Sequence, residues 1–229
     1  MILAGGLGTR ISEETSDKPK PMVLIGEQPI LWHIMNIYAS QGFSEFIVAA
    51  GYRSEVILEW ASNLKSDWQI SIVDTGMETQ TGGRIKQCMN LFPDETILAT
   101  YGDGLGNVKI SSLIRYHQSH GKLATLTAVR PPARFGYLDV IDGKVLNFGE
   151  KNQTSAGWIN GGFFVLEPEV ANYIRSDDEP LETGALPRLV EENNLMAFNH
   201  EGFWQPMDTL REKNDLSLLL RDVPPPWLR

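Results

Sequence analysis

The sequence predicts an α/β protein built on a Rossmann-like, doubly wound, mostly parallel sheet, with a small additional β-hairpin and helical portion. Three observations predict it. Up to residue 130, short apolar runs alternate with helical stripes, which is the rhythm of βαβ units. Beyond Arg130 the rhythm changes, and Asp142-Gly143 separates two strand-like runs as a two-residue hairpin signal. The first apolar run also opens directly into a glycine-rich turn, Gly5-Gly6-Leu7-Gly8.

Taken in order, Ile2–Ala4 reads as the end of a buried strand. Leu31, Ile34, Met35 and Tyr38 share one helical face, and Gln41-Gly42 closes that helix. Phe46–Ala50 is a strand, Ile57, Trp60, Ala61 and Leu64 mark a helix, and Ile70–Val73 is the next strand. Ile85, Cys88, Met89 and Phe92 fall at i, i+3, i+4 and i+7, so the single cysteine belongs to a buried helical stripe rather than to a nucleophile. Thr96–Thr100 is a strand that ends in Tyr101-Gly102-Asp103-Gly104, followed by a helix near Ser111–His120 and a strand at Ala124–Val129. Tyr137–Ile141 and Lys144–Phe148 form the hairpin. Trp158–Leu166 is strand-like, and helices are expected near Glu169–Arg175 and Gly184–Glu192. Pro224-Pro225-Pro226 cannot continue a helix and reads as an extended strap. With no internal repeat and no low-complexity linker, residues 1–229 are read as one domain.

Composition narrows the partners. The chain has 229 residues, of which 42% are hydrophobic, enough for a sizeable core. Its net charge is -9 and no basic block occurs anywhere. Nucleic acid and anionic membrane are therefore excluded as partners, since both require clustered Lys and Arg. A lone cysteine rules out a disulfide framework. No apolar run approaches the roughly 18 residues of a membrane span, and no basic-then-apolar leader is present, so a cytoplasmic protein is expected.

The glycine-rich turn is the strongest chemical signal. A turn of this kind lets backbone N–H groups approach a phosphate. A dinucleotide fingerprint counted from Gly6 and Gly8 needs a third glycine where Ile11 stands, and no G-K-[ST] follows the loop. What remains is a loop ending in Thr9-Arg10 and followed by Lys18-Pro19-Lys20-Pro21-Met22. The prolines stiffen that segment and hold Lys20 in place, which argues against a loose loop of solvated lysines. Asp103 lies between two glycines at a strand end, where parallel sheets place ligands. Asp208 follows an aromatic, β-like run just before the final helix. Alone, the first reads as a turn aspartate and the second as a helix N-cap. The four histidines show no metal-ligand spacing and are read as solvated or capping groups. Phe203 and Trp204 are read equally as a sugar cover or as core.

Gly5 through Met22 resembles the signature loop of the sugar-1-phosphate nucleotidylyltransferases, where G-G-x-G-T-R and a later K-P-[ML] bind a nucleoside triphosphate. Thr81-Gly82-Gly83-Arg84, Thr100–Gly104, Asn160–Phe164 and Trp204–Thr209 resemble the cytidylyltransferases acting on glucose 1-phosphate within that superfamily. The likeness covers nearly the whole chain. It implies a nucleotide-diphospho-sugar transferase fold, with residues 1–130 mainly for the nucleotide and 131–229 mainly for the sugar phosphate. It implies CTP and glucose 1-phosphate as substrates, Mg2+ as cofactor and a homo-oligomer. Carried over residue by residue, Leu3, Ala4, Gly5, Gly6, Gly8, Thr9, Arg10, Lys20, Thr81, Gly82, Gly83, Arg84, Gly102 and Asp103 bind the nucleotide. Arg10 and Lys20 are catalytic, and Asp103 and Asp208 hold the metal. Glu150, Lys151, Asn160 and Gly161 bind the sugar phosphate, although Asn152 stands where the family's E-K-P has proline.

Two carboxylates at separate strand ends suit magnesium, which keeps phosphate oxygens or water for its remaining positions. The base is expected to meet a backbone carbonyl of Thr81-Gly82-Gly83, with Arg84 serving its 2-carbonyl or a phosphate. Two departures stand out. The first strand opens abruptly at Met1, as though residues were lost or a start site differently chosen, and the stretch between Trp60 and Asp74 is markedly shorter than in the cytidylyltransferases. Another nucleotide or sugar, or a catalytically silent binding subunit, remain the alternatives.

Overall fold

In the computed structural model, which describes residues 1–131, 137–149 and 157–229, the apolar runs assemble into one seven-stranded sheet. Its strands are β1 (Ile2–Leu3), β2 (Glu45–Ala50), β3 (Gln69–Asp74), β4 (Ile97–Tyr101), β5 (Ala124–Val129), β6 (Ile159–Leu166) and β7 (Leu195–His200). They lie in the order β7-β5-β6-β4-β1-β2-β3. β1 pairs in parallel with β2 and β4, β2 with β3, and β5 with β7. Only β6 runs against its neighbours, β4 and β5. The mostly parallel, doubly wound sheet is as the sequence predicts.

Successive side chains on a strand point to opposite faces, and here both faces are covered. Ile2, Val48, Ala50, Phe163 and Val165 enter one core with helices Ile30–Ala39 and Ile110–His120. Leu3, Ala49, Phe164 and Leu166 enter the other with helices Thr81–Met89 and Ala185–Glu191. Cys88 is wholly buried in this second core, and burial pushes its thiol up to about 11. A thiol there stays protonated at neutral pH, so Cys88 is a packing residue. Among the described residues, no helix is long and apolar enough to cross a membrane.

The hairpin forms as expected. Tyr137–Ile141 pairs antiparallel with Lys144–Gly149, and Asp142 and Gly143 both take positive φ, 49° and 76°, as a primed two-residue turn requires. Several expectations need correction. The segment 169–175 is not an α-helix; a 3-10 turn covers Pro168–Tyr173. His200 ends β7, an edge strand whose residues are partly buried or exposed. His33 and His117 are buried rather than solvated. His33 Nε2 donates to the Ile25 carbonyl (2.9 Å), and His117 bridges Thr125 and Glu167 at 2.8 Å each. The proline tail is a strap only in part. It closes in a 3-10 turn, Pro226–Leu228, that sinks Trp227 into the first core at 1% exposure.

Candidate active site

The strand order reverses between β1 and β4. The chain winds outward through β2 and β3 on one side and through β4, β6 and β5 on the other, so the loops leaving β1 and β4 part and open a crevice. That crevice is a cleft of about 450 Å³, lined by Leu3 through Arg10 and by Lys20, Thr81, Arg84, Gly102 and Asp103, among others. Gly102 sits where the two strands meet. A Cβ there would lie 2.4 Å from the Leu3 carbonyl oxygen, so no larger residue passes between β1 and the aspartate that follows. The loop after β1 turns at Gly8 with φ of 64° and is stapled by the Thr15 hydroxyl, which donates to the Gly8 carbonyl at 3.1 Å.

Asp103 and Asp208 meet although a hundred residues separate them. Gly104–Gly106 pairs antiparallel with Trp204–Pro206, and the Met207 N–H donates to the Asp103 carbonyl at 2.7 Å. This short ladder sets Asp208 beside Asp103. The N-cap position falls not to Asp208 but to Thr209, which forms a capping box with Glu212, and the Asp208 carboxylate faces the cleft cations. Lys20 Nζ lies 2.7 Å from Asp103 Oδ2 and 2.7 Å from Asp208 Oδ1. Arg10 reaches Asp208 Oδ2 at 2.8 Å. The Lys20 side chain is only 12% exposed. Burial by itself would lower its pKa, but the charges and hydrogen bonds of Asp103 and then Asp208 outweigh it, and the net shift is upward. Lys20 therefore stays an ammonium across the physiological range.

The nucleotide-side expectations around residue 81 are altered. Thr81-Gly82-Gly83 is not a loop but the first turn of the helix Thr81–Met89. Gly82 and Gly83 are buried against the segment 177–179, where added Cβ atoms would stand 2.5 Å from the Glu179 carbonyl oxygen and 2.3 Å from that of Asp177. Their backbone closeness serves the packing of this helix. Arg84 faces the cleft wall but acts as a brace. Its terminal nitrogens donate to Ala50, Gly76, Gly5 and Met77 carbonyls between 2.9 and 3.3 Å, and to the Thr75 hydroxyl. One guanidinium thus pins the ends of β1, β2 and β3.

On the sugar side, β6 carries a bulge between Asn160 and Phe164, which re-aims Asn160. The Asn160 amide donates to the Tyr101 hydroxyl at 3.1 Å, and Tyr101 itself lines the cleft. The Gly161 carbonyl accepts from Trp204 Nε1 at 2.8 Å, so Trp204 packs against this strand with Phe203 beside the first core. Glu150 and Lys151 lie outside the described residues. Sequence reasoning missed Glu182, which accepts from both Tyr101 and Thr81, and the Met77–Gln80 stretch that forms part of the wall. Neither carries a motif.

A family model described as nucleotidyl transferase matches residues 1–211. The chain belongs to the nucleotidyl transferase family. It is 46% identical over 250 aligned residues to a glucose-1-phosphate cytidylyltransferase of Salmonella typhimurium, covering 99% of this chain and 97% of that one. That alignment is longer than the chain, in keeping with the shortening expected from the sequence. It is 30% identical to the mannose-1-phosphate guanyltransferase of Saccharomyces cerevisiae, covering 95% of this chain and 62% of that one. Among solved structures, HddC from Yersinia pseudotuberculosis complexed with GMP-PN superposes with a TM-score of 0.75 at 23% identity, over 95% of this chain and 96% of that one. That likeness supports the fold alone.

Within this family fold, the cleft holds a glycine turn, two cations and two carboxylates on rigid strand ends. Such an arrangement can bind phosphates through N–H groups and cations, and carboxylates are the oxygen ligands that a hard metal ion takes.

Proposed function

We propose that this nucleotidyl transferase moves the cytidylyl group of CTP onto glucose 1-phosphate, giving CDP-glucose and pyrophosphate. The observation that carries the chemistry is the Lys20 ammonium held between Asp103 and Asp208 at the sheet's switch point. The choice of substrates is supported by the near full-length similarity to the Salmonella enzyme.

The reaction needs no general base, because the second pKa of a phosphate monoester is about 6 and the sugar phosphate is already largely dianionic at neutral pH. One of its oxygens attacks the α-phosphorus in line, and the bond to the bridging oxygen breaks with its electron pair leaving on pyrophosphate. The protein contributes alignment and charge. The Gly5–Gly8 turn offers N–H groups to the phosphates, while Arg10 and Lys20 neutralise the departing pyrophosphate. Among the described residues, no group of three or more His, Cys, Asp and Glu could hold a metal ion, and a magnesium site here draws on two protein carboxylates. Asp103 and Asp208 would hold it: their oxygens pair with Lys20 and Arg10, and magnesium would take the two carboxylates as those cations turn to the phosphates, leaving room for the water and phosphate oxygens that magnesium keeps. When bound, magnesium supplies Lewis-acid charge to the phosphates.

Asp103→Asn and Asp208→Asn should each raise the magnesium concentration giving half-maximal rate by about tenfold or more, since each removes one charged oxygen ligand. Thermal stability should change little. A magnesium titration of pyrophosphate release reads both, and unchanged half-saturation in either variant removes that residue as a ligand.

CTP should be preferred over UTP by at least about tenfold in kcat/KM. The pyrimidines differ at position 4, a donor amine in cytosine and an acceptor carbonyl in uracil, and one acceptor facing the wrong base costs about 1–3 kcal/mol. With Gly82 and Gly83 packed inside their helix, the wall at Met77–Gln80 is the segment that offers this acceptor. Equal efficiency with the two nucleotides would refute the cytidylyl assignment and leave the nucleotidyl transferase standing.

A further inference from the structure

We propose that Tyr101 and Glu182 are a positioning pair that locks the Asn160 carboxamide with one N–H held out as a donor to a sugar hydroxyl oxygen. This rests on the reading above, in which Asn160 belongs to the sugar side.

The hydrogen bonds specify every proton in the chain of contacts. The Gly162 N–H can only donate, and it points at Asn160 Oδ1 from 2.9 Å. The other amide atom is therefore the nitrogen, and it donates one N–H to the Tyr101 hydroxyl at 3.1 Å. Having accepted that bond, the phenol sends its own proton to Glu182 Oε1. Glu182 Oε2 accepts from the Thr81 hydroxyl at 2.8 Å, and Thr81 Oγ1 accepts the Leu181 N–H at 2.9 Å. Fixed donors stand at both ends, Gly162 N–H and Leu181 N–H, and an acceptor-only carboxylate lies between them. No reversed pattern satisfies all five contacts. Among the described residues, Asn160 has one N–H left over.

Packing holds the pair in place. The Tyr101 ring meets the edge of Phe164 with centroids 5.6 Å apart, and a Cβ on Gly162 would lie 2.3 Å from a ring carbon. Tyr101 and Thr81 both line the cleft, which sets this chain of contacts along the wall between the nucleotide side and β6. A single fixed donor suits a hydroxyl oxygen, and its direction, rather than its presence, is what the pair sets.

The test is a double-mutant cycle on the full chain, with KM measured separately for CTP and glucose 1-phosphate. Tyr101→Phe keeps the ring and removes the hydroxyl. It should raise KM for glucose 1-phosphate about three- to tenfold, the value of one hydrogen bond, with kcat and KM for CTP within twofold of wild type. Asn160→Ala should raise the same KM at least as much, and the double variant should be no worse than Asn160→Ala alone. Glu182→Ala, at an exposed position, removes the acceptor that holds the Tyr101 proton and should reproduce the Tyr101→Phe effect. Multiplying effects in the double variant would overturn the proposal by making Tyr101 a direct sugar contact. So would an unchanged KM in Tyr101→Phe, an equal rise for CTP, or a silent Asn160→Ala. If the wild-type enzyme fails to use CTP with glucose 1-phosphate, it is the functional reading that falls.

Discussion

Replacing Lys20 with alanine is expected to lower turnover by a factor of about 10²–10³ while leaving the fold intact, the size seen when one preorganised charge contact is withdrawn from a transition state, about 2.7–4 kcal/mol. Three features make Lys20 the group to remove. Pro19 and Pro21 flank it, and the 3-10 turn Lys20–Met22 fixes its backbone. Its ammonium is drawn 2.7 Å from two carboxylates that arrive from opposite halves of the chain. Its raised pKa keeps the charge present wherever the enzyme works. Lys20→Arg should not restore the rate, because a planar fork cannot occupy the single point where an ammonium touches both carboxylates. Single-turnover rates at saturating CTP and glucose 1-phosphate read the effect. A Lys20→Ala enzyme with more than about a third of wild-type turnover, where roughly a hundredfold loss is expected, would remove Lys20 from the machinery.

Much of this site is legible in the sequence for a physical reason. A strand that ends in Gly5-Gly6-Leu7-Gly8 and another that ends in Gly102-Asp103 need only to lie side by side for a phosphate crevice to form, and the βαβ rhythm puts them there. Proline-flanked Lys20 is equally readable, because proline acts locally. What escapes is decided by distant packing. Gly82 and Gly83 look like a loop, and only the approach of the segment 177–179 shows why glycine is needed in a helix. Arg84 carries the same charge whether it meets a ligand or five protein oxygens, and nothing nearby in the chain announces the carbonyls of Gly5, Ala50 and Met77. Glu182 lies in an acidic, exposed stretch and gains meaning only from Tyr101, 81 positions earlier. β7 was missed because an edge strand that is half covered lacks the clean alternation of a buried one. The proline tail misled in the other direction. Three prolines forecast the chain's extension but not the tryptophan that follows them.

That tryptophan gives the other large effect. Trp227→Ala should cost about 3–5 kcal/mol, the range for emptying a large aromatic site in a core, and should lower the unfolding temperature by roughly 6–20 °C for a chain of this size. Residues so near the end of a sequence usually tolerate change, so the expectation is a sharp one. It follows from packing: Trp227 is 1% exposed, its ring meets His33 edge-on at 5.5 Å and Phe203 at 6.0 Å, and Phe203 leads into the Trp204–Pro206 ladder that sets Asp208. A hollow there unsupports the ladder as well as the core, so the variant should also lose activity below its unfolding temperature. Trp227→Phe separates the ring from its nitrogen. Trp227 Nε1 is buried with no hydrogen-bond partner among the described residues, and phenylalanine keeps most of the apolar contact while discarding that donor. Its cost should stay under about 1.5 kcal/mol, as for other shape-keeping swaps. Urea unfolding of the three proteins gives both numbers. An alanine variant within about 1 kcal/mol of wild type would mean that the tail merely rests on the core, and the cavity argument would have to be withdrawn.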